Sequence, residues 1–373
     1  MSCISRSAAP ALSARARTFP LSAHARTVSL SARARTAPLS ARARSCHVGL
    51  LGAALLCAAG AAGAQSNVGI YGIIDQGLSK ANSGTTPAGL LPGRPAAPDV
   101  WTMKAGNTSR IGFRGQEDLG DGLYSRFQIE HRFAADTGMP SNANVFWLGR
   151  SVVAVGSKQW GEVYMGREYS PAYWIALNTD ATLWSYVGQL GSPYTYANYT
   201  AVASNVEASN IRWANSVGYK TPNVGGFTAE LAMAFGEKQR SNNIAGNVQY
   251  KKGPVWIGAG FDRLDERNNL VLVAGGYDFG VVYPTVSYSK AEGGLNGDGK
   301  AFSVALRVPL KQAKLYVQAG KLMPATNLDS TMFSTGAEYL LSKRTSLYAN
   351  LGSAKRDRLT RTTAIDFGVK HTF

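Results

Sequence analysis

The sequence predicts an all-β fold, a closed transmembrane barrel of sixteen antiparallel strands. Three observations predict it: apolar and polar residues alternate with period two, tight turns alternate with longer connections, and the apolar face is rich in aromatic residues. After Gln65 no apolar run approaches the roughly 20 residues of a membrane helix. The alternating segments have instead the roughly 10 residues of a tilted membrane strand.

The strands follow from the alternation. Val68, Ile70 and Ile74, for example, alternate with Tyr71 and Asp75. Strands are predicted to start near residues 66, 100, 122, 145, 159, 211, 226, 245, 254, 269, 280, 299, 312, 331, 345 and 363. Because the count is even, both ends of the barrel segment can lie at the same rim, as a closed outer-membrane barrel requires.

The side chains on the two faces favour a membrane barrel over a soluble one. The polar face carries Arg, Lys, Glu, Asp and Gln, which suit a water-filled interior. The apolar face carries aromatic residues of the kind that lie at membrane interfaces: Trp101, Phe113, Phe127, Phe133, Trp147, Trp213, Phe367 and Phe373. A soluble β-sandwich or lectin-like fold has the same local period and is the alternative.

Residues 1–64 form a region that we expect to be removed on export. The region holds eight Arg, no acidic residue and all three Cys, and so half of the formal charge of +16. The short apolar run from Val48 to Ala62 and the small residues up to Ala64 have the layout of a cleaved secretory signal peptide, with a buried helical hairpin as the alternative. Before it, Arg/Ser/Ala repeats that begin at Leu12 are either a basic tract or the product of a start assigned too far upstream.

Residues 65–373 contain nothing expected of an enzyme, and we predict no catalysis, cofactor, metal or nucleic-acid partner. They contain no Cys, which excludes disulfides and thiol chemistry. Their two histidines, His131 and His371, fall on the apolar face. The acidic residues between Asp262 and Glu266 could suggest a calcium loop, but alternating arginines favour a solvated, salt-bridged loop.

Five stretches carry a family resemblance: Tyr71–Gly77, Ser109–Leu123, Gly161–Arg167, Asn215–Pro222 and Gly368–Phe373. In order and spacing they resemble the general porins of Gram-negative bacteria, the trimeric type of neisserial and other beta-proteobacterial outer membranes. The resemblance implies an outer-membrane pore for passive diffusion of small hydrophilic solutes and inorganic ions. It also implies a homotrimer in contact with membrane lipid and lipopolysaccharide, and it makes Phe373 the signal for the barrel-assembly machinery.

The resemblance further implies a third extracellular loop that folds inward and narrows the pore. The corresponding segment runs from about Tyr169 to Ser209, well above the roughly 15 residues of ordinary loops. Its aromatic residues are expected to pack against the barrel wall: Tyr169, Tyr173, Trp174, Trp184 and Tyr186. Its acidic residues are few, Asp180 and Glu207, and it lacks the acidic Pro-Glu-Phe-Gly stretch of enterobacterial porins.

Charges at the narrowest point are expected to set selectivity. Strand parity points several arginines inward, the resemblance adds Arg150, and Arg167 ends the strand before the loop. The predicted constriction set is Arg110, Arg114, Glu130, Arg132, Arg150, Arg167, Asp180, Glu207 and Arg212. Since arginines outnumber acids, we predict a modest preference for anions. The alternatives are arginines that only pair with lumen carboxylates, a substrate-specific channel, and an adhesin or hydrolase barrel.

Overall fold

The computed structural model describes residues 67–82, 99–199, 208–209, 211–238, 241–293, 297–326 and 328–373. The predicted signal region and its repeats therefore lie outside the described residues. The strands are β1 (Asn67–Ala81), β2 (Thr102–Lys104), β3 (Ser109–Gly120), β4 (Leu123–Phe133), β5 (Arg150–Ser157), β6 (Gly161–Tyr169), β7 (Ala208–Ser209), β8 (Arg212–Lys220), β9 (Phe227–Ala234), β10 (Asn243–Lys252), β11 (Val255–Arg263), β12 (Asn269–Tyr277), β13 (Tyr283–Glu292), β14 (Gly299–Pro309), β15 (Ala313–Pro324), β16 (Ser330–Leu340), β17 (Thr345–Arg356) and β18 (Thr362–Thr372). The described helices are α1 (Pro171–Thr179) and α2 (Gly191–Thr195).

The strands form one closed antiparallel sheet. Each long strand pairs with the next along the chain, and β1 pairs with β18 to close the circle. Strands β2 and β3 both pair with β1 and form a single barrel strand that is interrupted at residues 105–108. The two-residue β7 pairs only with the start of β8. The described residues thus form sixteen barrel strands, as predicted, and the pairing of β1 with β18 leaves no open edge among them.

One predicted strand starts later than the alternation indicated. We expected a strand from about residue 145, but β5 begins at Arg150. The Asn142 side chain accepts hydrogen bonds from the backbone N–H groups of Asn144 and Val145. These bonds hold residues 142–145 in a turn, because Asn side chains compete with strand pairing for nearby backbone donors.

The two faces of the barrel have opposite character. In β14, Phe302 and Val304 point outward and are 48% and 39% exposed, whereas Ser303 and Ala305 point inward and are buried. The same alternation recurs around the sheet and leaves an apolar outer surface, as in membrane barrels. No helix among the described residues is long and apolar enough to cross a membrane.

The main apolar cluster lies on the inner face, where α1 and α2 pack against small residues of the strands. A Cβ atom at Gly258 would lie 2.6 Å from Cδ1 of Ile175, and one at Gly320 would lie 2.6 Å from Cβ of Tyr194. Glycine at these two inward positions therefore lets the segment that follows β6 approach the wall closely.

Two sequence expectations about the faces were wrong. Trp213 does not lie on the outer apolar face; it is 1% exposed and packs within the inner cluster. The register shifts between Gly166 and Glu168, and Asn215 has a φ of 55°, so the alternation changes phase there. Asp262 is buried rather than solvated, because it accepts hydrogen bonds from Ser170 and Tyr196 of the inward segment.

Candidate functional site

Strand register brings four arginines together on the inner face. Arg110 lies opposite Arg132, Arg150 lies opposite Glu130, and Arg212 lies opposite Tyr169. Directly opposed residues of antiparallel strands share a face. All four arginines line one cavity inside the barrel, so their side chains form one group. We call Arg110, Arg132, Arg150 and Arg212 the basic cluster; all four were predicted members of the constriction.

Two carboxylates lie within the basic cluster and neutralise part of its charge. Nε of Arg132 donates to Oε1 of Glu130 over 2.9 Å. Nε of Arg150 lies 2.8 Å from Oε1 of the buried Glu168. Four guanidinium charges against two carboxylate charges leave a formal excess of 4 − 2 = +2. Low-dielectric walls concentrate the electric field of such an excess.

Tyr169 is the residue that orders the basic cluster. Its hydroxyl accepts hydrogen bonds from Nη2 of Arg132 over 2.8 Å and from Nη2 of Arg212 over 2.7 Å. Its ring centroid lies 4.5 Å from Cζ of Arg212 and 5.2 Å from Cζ of Arg150. Tyr173 stacks on the same ring at 4.6 Å, and Trp174 lies 5.3 Å from Cζ of Arg150. Cation–π and hydrogen-bond contacts thus hold the guanidinium planes in fixed orientations.

The tyrosines that follow β6 add no negative charge to this site. Burial raises the pKa of Tyr173 above its ordinary value. Burial likewise raises the pKa of Tyr194 to about 12. These hydroxyls therefore stay protonated at neutral pH, and the charge of the site comes from arginines and carboxylates.

Two other predicted constriction residues, Arg114 and Arg167, lie outside the basic cluster. Arg114 is exposed on β3, with Cζ 5.2 Å from the Tyr71 ring, and is outside the basic cluster. Arg167 lies opposite Ser151 in the outward row and donates from Nε to the carbonyl of Leu148 over 3.2 Å. Glu207 lies outside the described residues.

Asp180 has a structural position rather than a pore-facing one. It is fully buried, and its Oδ1 accepts hydrogen bonds from the backbone N–H of Thr182 and from Oγ1 of the same residue. Its Oδ2 accepts a hydrogen bond from the N–H of Gly191 over 2.9 Å. Asp180 therefore ties the end of α1 to the start of α2.

The remaining predicted aromatic residues contact different surroundings. Trp184 stands edge-on to Tyr173, with ring centroids 5.0 Å apart, and so belongs beside the basic cluster. Tyr186 lies away from the basic cluster. Its ring centroid is 4.5 Å from that of Tyr348, and its hydroxyl accepts a hydrogen bond from Nζ of Lys370 over 3.0 Å.

Sequence reasoning missed the interruption between β2 and β3. Oδ1 of the buried Asp75 accepts a hydrogen bond from the N–H of Gly106 over 2.9 Å, and Oδ2 accepts one from the N–H of Asn107 over 3.1 Å. The Gly106 carbonyl accepts a hydrogen bond from the N–H of Tyr186 over 2.7 Å. Arg110 donates to the Asn107 side chain. The sequence signal for this interruption was Asp75, because its carboxylate occupies an inward strand position with no basic residue next to it in sequence.

The basic cluster borders a cavity of about 600 Å³ inside the barrel, which we call the arginine cavity. Trp174, Trp184, Leu183 and Asn107 also line it. A second inner cavity is lined by Arg307, Lys370 and Glu338, and it shares Leu183 and Asn107 with the first. Leu183 and Asn107 therefore lie between the two compartments of the lumen.

A closed antiparallel barrel with an apolar outer face and charged residues inside is a transmembrane channel of the β-barrel class. The chain belongs to the Gram-negative porin family, which matches residues 52–359. It functions as an outer-membrane porin, a channel for passive diffusion.

Individual relatives agree with this assignment. The chain is 32% identical over 336 residues to outer membrane porin protein 32 of Delftia acidovorans, covering 82% of this chain and 89% of the relative. It is 25% identical over 352 residues to major outer membrane protein P.IB of Neisseria meningitidis serogroup B, covering 86% and 98%.

Solved structures give the same fold. The anion-selective porin from Comamonas acidovorans superposes with a TM-score of 0.69 and 25% identity, over 83% of this chain and all of that one (100%). The outer-membrane protein OmpT of Vibrio cholerae has a TM-score of 0.61 at 17% identity over 83% and 98%, a similarity of fold alone.

Proposed function

We propose that this porin is modestly anion-selective and that the basic cluster is its selectivity site. The formal excess of two positive charges, held in place by Tyr169, carries this proposal. The Comamonas relative, described as anion-selective, supports it. The alternative is a pore without charge selectivity, in which the arginines only pair with carboxylates. That pore would need as many acidic residues as arginines at the site.

The segment from Tyr169 to Ser209 is, in this proposal, the inward loop that narrows the pore. Its described part is tied to inner-face residues of distant strands. The N–H of Ala181 donates to Oε1 of Gln318 over 2.8 Å, and the N–H of Val187 donates to Oδ2 of Asp366 over 2.8 Å. Bonds to β15 and β18 from a segment that starts at β6 support a path across the lumen.

The other functional expectations also stay proposals. We propose that the chain forms a homotrimer in contact with lipid, lipopolysaccharide and the assembly machinery. We also propose that residues 1–64 are lost on export and that the protein catalyses no reaction. The two histidines support the last point. Nδ1 of His131 lies 2.6 Å from the Phe146 carbonyl, and Nδ1 of His371 lies 2.9 Å from Oγ1 of Thr345, both on the outer face.

Reversal potentials of single channels in a potassium chloride gradient test the selectivity. We expect chloride to permeate better than potassium in the parent, and Arg150→Glu and Arg212→Glu to shift the ratio toward potassium because each changes the local charge by two units. Arg344→Glu, in an exposed turn, is the matched control and leaves the ratio unchanged. A cation-selective parent, or no shift in either variant, contradicts the proposal.

A further inference from the structure

An apolar side chain faces the water-filled lumen beside the basic cluster. Leu183 is 53% exposed and borders the arginine cavity. Leu177, Trp174 and Trp184 line the same cavity and are each only partly buried. Inorganic ions gain nothing from these apolar atoms, which border the same space as four guanidinium groups.

Leu183 has a backbone conformation that leucine rarely adopts. Leu183 and Trp184 have φ angles of 53° and 57°, in the left-handed region that bulky residues rarely adopt. The turn is fixed by the N–H of Leu183, which donates to the Asp180 carbonyl over 3.0 Å, and by the bonds from Thr182 to the Asp180 carboxylate. Such conformations persist where the surroundings over-determine them, and they concentrate at ligand sites.

We propose that the arginine cavity is a transit site for aromatic carboxylates. The carboxylate would meet the guanidinium groups of the basic cluster, since paired N–H donors match its two oxygens. The aromatic body would contact Leu183 and the partly exposed faces of Trp174 and Trp184. This inference rests on the proposed anion preference and adds a solute class to it.

The site distinguishes anions by the group that is attached to the charged atoms. A chloride or acetate ion interacts with the arginines alone. An aromatic carboxylate also removes apolar surface of Leu183 from water, at about 25 cal/mol per Å². The ratio of benzoate to acetate permeability should therefore exceed the ratio of the two ions' mobilities in water.

The test uses the full-length pore in planar bilayers under bi-ionic conditions, with sodium benzoate, sodium acetate or sodium chloride on the two sides. The variant Leu183→Asn removes the apolar side chain and suits the left-handed backbone, in which Asn is tolerated. Leu310→Asn is the matched control, because Leu310 is exposed in the turn between β14 and β15 and borders neither cavity.

We expect the benzoate to acetate permeability ratio of the parent to exceed the aqueous mobility ratio by about threefold, since partial burial of one leucine is worth under 1 kcal/mol. Leu183→Asn lowers the ratio to the mobility ratio, and Leu310→Asn leaves it unchanged. A parent ratio at or below the mobility ratio overturns the inference, as does an unchanged ratio in Leu183→Asn. The chloride arm reports the anion preference separately: a parent more permeable to sodium than to chloride overturns the proposed function whatever the benzoate result.

Discussion

Gly72 shows how one residue without a side chain permits barrel closure. The backbone of Phe373 exchanges two hydrogen bonds with that of Gly72, of 3.0 and 3.1 Å. A Cβ atom at Gly72 would lie 2.3 Å from Cζ of Phe373 and 2.6 Å from the Arg110 carbonyl. The absence of a side chain at Gly72 therefore leaves the space that the terminal ring occupies beside β1.

We expect Gly72→Val to impair barrel assembly, at an overpacking cost of about 1 to 3 kcal/mol. Gly69→Val on the same strand is the control, because no heavy atom lies within 4 Å of a Cβ built there. Deletion of Phe373 should act in the same direction as Gly72→Val. The measurement is the folded, heat-modifiable fraction of protein in outer membranes. Equal folded fractions for both valine variants would contradict this account of closure.

At single residues, the sequence predicted which face a side chain occupies wherever strand pairing stayed regular. Parity predicted Arg110 and Arg132 on the inner face, where the regular pairing of β3 and β4 places them, but at the start of β8 the alternation changes phase. Parity left out Glu168, since the register shifts between Gly166 and Glu168 and no periodic pattern reveals a bulge, and Arg167 was included only because it ends the strand before the loop. The burial of Asp180 depends on contacts with residues far away in sequence, which alternation does not encode.

The C-terminal end of helix α1 is bonded to an arginine of the barrel wall. Nη2 of Arg307 on β14 donates to the carbonyl of Asn178 over 2.7 Å and to that of Asp180 over 2.6 Å. These carbonyls lie at the C-terminal end of α1, where backbone acceptors lack partners within the helix and the helix dipole is negative. Arg307 is therefore a positioning residue for the segment proposed to narrow the pore.

We expect Arg307→Gln to loosen α1, since bonds to a charged donor contribute about 1.5 to 3 kcal/mol each. The pore should close at a lower applied voltage and show more open-channel current noise. Arg361→Gln is the control, because Arg361 is exposed and donates only to the Ser353 hydroxyl among the bonds described for it. Unchanged noise and closing voltage in Arg307→Gln would show that other contacts position the helix.

Among the elements, the sixteen barrel strands were predictable because the same period-two pattern recurs in each of them. The interruption at residues 105–108 was not. It depends on Asp75 and on the contact between Gly106 and Tyr186, two residues 80 positions apart in the chain. A short irregular stretch looks like an ordinary turn until its distant partners are known.

For the whole molecule, net charge and selectivity are separate quantities. Residues 65–373 carry 31 basic and 23 acidic residues, a formal 31 − 23 = +8, but the basic cluster contributes only the excess of +2 described above. Charges on exposed loops act on ions at a distance and are screened by salt, whereas the cluster acts on ions within a few ångströms of the guanidinium groups.

Salt dependence separates the two contributions. The Debye length falls from about 10 Å at 0.1 M to about 3 Å at 1 M, so loop charges lose their influence and the basic cluster keeps part of its own. We expect the chloride to potassium permeability ratio of the parent to fall between salt gradients centred on these two concentrations but to stay above that of Arg212→Glu at both. The reversal potential in each gradient measures it. If parent and Arg212→Glu converge at 1 M, the anion preference comes from charges outside the lumen, because a contact-range interaction with Arg212 would survive that screening.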